Sequence, residues 1–130
     1  MILYTKKILK TLIVIYSIII VFHSCILLKI IAYEITWGGR LQSDQEMYVF
    51  ETASITINLF LIWTLLMKGD FVKFKFPVKV IHVILWIFVV VFTLNTVGNI
   101  FAKTFLEKGF AVMTLGSALA IGFVLRRPAV

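Results

Sequence analysis

Two carboxylates, one guanidinium and three amides stand out in this 130-residue chain because they fall inside or beside long apolar runs: Glu34, Glu51, Arg40, Asn58, Asn95 and Asn99. Ionisable and amide groups in such surroundings are costly, and they mostly face a protein interior or water. Their spacing is helical. Glu51, Ser54 and Asn58 recur along one stripe, and Asn95 and Asn99 are one turn apart. His23 and Glu34, about three turns apart, share a face if one helix carries both. Arg40 follows Trp37-Gly38-Gly39, where two glycines permit a tight turn. The pattern predicts one pocket near the non-cytoplasmic face of a membrane. Glu34, Glu51 and Arg40 are its charged elements, Asn58, Asn95 and Asn99 its lining, and His23 and Trp37 secondary candidates. Such a pocket could bind or pass a small solute, an ion or a proton. In a dry site, Glu34 or Glu51 could instead act as general acid or base on a lipid-soluble substrate. The same groups could also simply lock helices together, each interhelical hydrogen bond contributing about 0.6–2 kcal/mol.

The elements that must position these groups are four apolar runs, Ile8–Tyr33, Met47–Met67, Val78–Val97 and Phe105–Leu125. Each has the ~20 residues an α-helix needs to cross about 30 Å of hydrocarbon. Hydrophobic residues make up 62% of the chain and charged ones 15%, which leaves little for a soluble domain. Because an unpaired backbone group in lipid is expensive, the spans must be helical. With their flanking signals, helices are expected at 8–33, 44–67, 78–98 and 105–125. Ser43-x-x-Glu46 and Thr104-x-x-Glu107 have capping-box spacing, and Pro77 opens the third helix. Short connections make consecutive helices antiparallel neighbours. The expected fold is all-α: a single integral membrane domain over residues 1–130, its four transmembrane helices in an up-down-up-down antiparallel bundle. Gly116 and Ala120 form a small-xxx-small pair on the fourth helix, suited to close packing within the bundle or to a homodimer contact.

Charge orients the bundle. Lys6, Lys7, Lys10, Lys68, Lys73, Lys75, Lys79, Arg126 and Arg127 fall on one side with Asp70, a net charge of +8. Lys29, Arg40, Lys103 and Lys108 fall on the other with Glu34, Asp44, Glu46, Glu51 and Glu107, a net charge of −1. The excess of Lys and Arg puts both termini and the middle connection in the cytoplasm. The first run is too long for a cleavable signal and is followed by no small-x-small site.

Several chemistries are set aside. The lysines flank apolar runs rather than forming a soluble basic face, which argues against nucleic acid. Cys25 is the single cysteine, so no intrachain disulfide or thiol pair can form. No His, Cys and acidic group has metal-ligand spacing, and His23 and His82 lie at different depths, which disfavours bis-histidine haem. No cofactor is expected. Neither a phosphate-cradling glycine loop nor a nucleophile elbow is present.

Tyr33-Glu34-Ile35-Thr36-Trp37-Gly38-Gly39-Arg40-Leu41, Glu51, Leu94-Asn95-Thr96-Val97-Gly98-Asn99 and Glu107-Lys108 resemble a group of uncharacterised bacterial four-helix integral membrane proteins. The likeness runs over nearly the whole chain. It implies a four-helix fold in the bacterial cytoplasmic membrane and supplies no reaction. More distantly, helix number and polar placement are similar to the sterol-isomerase-like EXPERA folds, which carry acidic residues in an intramembrane pocket. The partners expected are the lipid bilayer, further copies of the chain, or another membrane protein.

Overall fold

The computed structural model describes residues 2–35, 41–102 and 104–127. Four helices fill it: α1 (Ile2–Leu27), α2 (Asp44–Lys68), α3 (Val78–Ile100) and α4 (Phe105–Arg126), all long and apolar enough to cross a membrane. Their outward faces are apolar too. Ile18 is 62% exposed, Leu119 67% and Val112 75%, a surface that suits hydrocarbon and not water.

Helix starts follow the expected caps. The Ser43 hydroxyl accepts from the Glu46 amide at 3.2 Å, and Thr104 accepts from the Glu107 amide at the same distance. Glu46 reaches back to the Gln42 amide, one residue earlier than a standard capping box. Pro77 sits just ahead of α3, its carbonyl accepting from Val80 and Ile81.

The first helix differs from the expected 8–33. It begins at Ile2, so Lys6, Lys7 and Lys10 ride its opening turns, and it stops at Leu27. The apolar run continues to Tyr33, but the backbone turns at Lys29, whose φ is 63°. The Ile30 amide donates to Cys25 O and the Lys29 amide to Ile26 O, which is the Schellman pattern with lysine where glycine is usual. Glu34 is therefore not on α1. It lies exposed in a one-turn 3₁₀ segment, Tyr33–Ile35.

The same device ends α2. Asp70 has φ 58°, Phe71 N donates to Leu66 O and Asp70 N to Met67 O. Gly69 sits close beside it, and a Cβ there would lie 2.4 Å from the Phe71 ring, which would have to shift. Each left-handed residue is held by an ion pair, Lys29 with Asp44 at 2.6 Å and Asp70 with Lys75. Lys75 holds the Asp70 carboxyl below the usual carboxylate range, by its hydrogen bond first and its charge second. A depressed folded value means the pair stabilises at pH above the unfolded carboxylate value and stops doing so as pH falls through the folded one. The pair is exposed, so Asp70→Asn, which keeps a residue tolerant of positive φ, should cost under about 1 kcal/mol at neutral pH and nothing in acid. Thermal unfolding of both proteins across that pH range measures the difference.

Contacts are densest between α1 and α2 and between α3 and α4, and much sparser between these hairpins. Paired residues run in opposite senses along neighbouring helices. Between the α1 end and α2, Lys29 just past α1 meets Asp44 while His23 meets Glu51; on α1 and α4, Tyr16 meets Ser117 while Phe22 meets Phe110. The main core joins both hairpins through Leu9, Leu12, Leu61, Leu65, Leu85, Phe88 and Ile121. A small second core of Ile26, Leu41 and Met47 closes the α1–α2 end.

Candidate functional site

Among the described residues, the most deeply buried carboxyl is on α2. Glu51, fully buried, sits two turns inside the helix start, where the α1–α2 hairpin brings it against His23. Its Oε2 lies 2.5 Å from His23 Nδ1, and the imidazole is 16% exposed. Phe22 packs edge-on against the His23 ring and itself meets Phe110 of α4. A carboxylate and an imidazole at this separation can share a proton, and little water reaches them to compete for it. Glu107, at the opening of α4, is also buried, at 3% exposure.

Of the six primary candidates, the structure brings Glu51 together with His23, one of the two secondary ones. Arg40 and Trp37, and with them the Trp-Gly-Gly-Arg turn, lie outside the described residues. Glu34 is exposed. Asn58 is half-buried and donates its amide to Ser54 O on its own helix at 2.8 Å, so its polarity is satisfied locally. Asn95 is exposed and Asn99 half-buried on the last turns of α3. Among the described residues, no side-chain hydrogen bond joins Glu34, Asn58, Asn95 or Asn99 to another candidate. The described residues join Glu51 to His23, and among them Glu34 stands apart on the 3₁₀ segment. The physical reason is that α1 ends early, removing Glu34 from its face, and that amides on the rims of helices find partners in their own backbone or face outward.

Two polar contacts the sequence did not flag hold the interior. Tyr16 on α1 donates to the Ser117 hydroxyl on α4 at 2.6 Å, and its ring stacks on Phe92 of α3 with centroids 5.3 Å apart. Thr96 and Thr114 face each other at 2.8 Å across α3 and α4. Hydroxyls of this kind bond to their own helix as well, as Thr96 does to Phe92 O and Ser117 to Met113 O. They are therefore cheap to bury and leave no signature in hydropathy. Glu107 was legible only as a capping residue.

Two open grooves stand out, of about 430 and 280 Å³. The larger runs between α1 and α4 and the smaller between α3 and α4, and neither is lined by Glu51 or Glu34. Among the described residues, no three His, Cys, Asp or Glu side chains gather. No family model, curated protein or solved structure matches the chain.

Proposed function

We propose that this is a small four-span integral membrane protein whose interior His23–Glu51 pair binds a proton from the non-cytoplasmic side. Both termini and the α2–α3 connection lie in the cytoplasm of a bacterial cell, the bundle running up-down-up-down through the inner membrane. Apolar outward faces, opposed helix pairings and the +8 to −1 charge asymmetry support that placement. One observation carries the proton site. A fully buried carboxylate touches an imidazole inside a span, where ionisable groups are retained mostly for a purpose.

Infrared difference spectroscopy of the protein in liposomes during a pH titration tests the site. The wild type should show a titrating carboxyl band that disappears in Glu51→Gln and moves in His23→Gln. A wild-type spectrum without that band overturns proton binding. It would favour the second reading, a non-catalytic accessory subunit, which draws support from how thoroughly the acids are engaged. Asp44 pairs with Lys29, Asp70 with Lys75, Glu51 with His23, and Glu46 caps α2.

A further inference from the structure

The groove between α1 and α4 has no role in the proton site, and its chemistry is distinct. Its α1 wall runs from Tyr4 to Ile15, about 16 Å along the axis, from the basic end to the middle of the span. Its α4 wall is Val112, Met113, Gly116, Ser117 and Ala120. The close approach expected at Gly116 is not made by another helix of the bundle, since a Cβ there would meet open space, while Ala120 packs partly against the main core. Two hydroxyls of the groove are already spent, since Thr11 donates to Lys7 O and Ser117 takes the Tyr16 hydroxyl while donating to Met113 O, and the third, on Tyr4, belongs to a side chain 68% exposed at the groove's end. What remains inside is apolar.

One charge stands at the mouth. Lys6 and Lys10 hold their ammonium groups over the Phe71 ring at 5.8 and 5.6 Å, on the α2–α3 side. Lys7 lines the groove instead, and no ion pair engages it among the described residues. An apolar channel that enters from a cationic rim matches an amphipathic anion, with its headgroup at the surface and its tail along the helices. A transmembrane helix would need a face as long as the ~30 Å hydrocarbon core, about twice the α1 wall.

We infer that this groove binds one anionic phospholipid from the leaflet at the basic end, its phosphate on Lys7 and an acyl chain against Gly116 and Ala120. The inference shares with the proposed function only the membrane setting, and it is independent of His23 and Glu51.

Native mass spectrometry of the whole protein, delipidated in detergent and titrated with phosphatidylglycerol or phosphatidylcholine, tests it. One phosphatidylglycerol per chain should bind in preference to phosphatidylcholine. Lys7→Gln should weaken that preference about fivefold, the effect of one basic residue at an anionic surface, and Lys6→Gln should leave it unchanged. Gly116→Leu, which has room to fold, should abolish retention of the lipid. Equal binding of both lipids, an equal effect of Lys6→Gln and Lys7→Gln, or a dimer that Gly116→Leu dissociates would each overturn the lipid site. The membrane placement falls separately, if the protein stays monodisperse in water without detergent.

Discussion

His23→Leu should destabilise the folded protein by about 3 kcal/mol or more, the cost of removing one member of a buried carboxylate–imidazole pair. The Glu51 carboxylate has no exposure, so it cannot turn to solvent when the imidazole is lost. Part of the desolvation that the pair offsets is then uncompensated, and a low-dielectric surround magnifies it. Leucine keeps the apolar contacts with Phe22, so the loss reports on charge more than on volume. Neutralising the carboxylate should relieve it, and the double variant His23→Leu/Glu51→Gln is expected to be more stable than His23→Leu alone. Reversible unfolding in mixed micelles, followed by circular dichroism, gives all three values and the coupling between the sites. A His23→Leu protein within 1 kcal/mol of wild type would show that the carboxylate does not depend on the imidazole.

That pair was partly legible beforehand. Glu51 falls within a predicted span on a helical stripe, and the cost of an ionisable group in an apolar segment is a sequence-level argument. Which partner it takes is not, because that depends on where α1 ends. Hydropathy carries the first apolar run to Tyr33, and the glycine that usually marks a helix stop is absent. A lysine adopts the left-handed conformation at position 29 instead, held by Asp44. Once the helix stops at Leu27, Glu34 leaves its face and His23 remains. The four helices and the Ser43 and Thr104 caps were readable, because caps are local chemistry. The interior hydroxyls were not. Serine, threonine and tyrosine differ little from their apolar neighbours in composition, and only tertiary packing shows that Tyr16 meets Ser117 or that Thr96 meets Thr114.

The weakest seam in the fold lies between its two hairpins, and Tyr16 crosses it. The side chain is 1% exposed, belongs to α1, bonds the Ser117 hydroxyl of α4 and stacks on Phe92 of α3. Few other contacts join α1 to α4. Helices apolar enough to cross a membrane would have little hydrophobic force there to hold hairpins together, so packing and hydrogen bonds would have to do so. Tyr16→Ala removes both and should cost about 3–5 kcal/mol, as large aromatic truncations do in packed interiors. Tyr16→Phe keeps the stacked ring and removes only the hydroxyl, a loss of about 0.6–2 kcal/mol. The larger loss should also have a location. Spin labels at the exposed positions 17 on α1 and 119 on α4 should show a broadened distance distribution in Tyr16→Ala, while a pair across α3 and α4 at 90 and 119 should not change. If Tyr16→Phe proves as damaging as Tyr16→Ala, the hydroxyl bond and not the aromatic stack is what couples the hairpins. Ser117→Ala should then reproduce the full effect, because it deletes the acceptor while leaving the ring against Phe92.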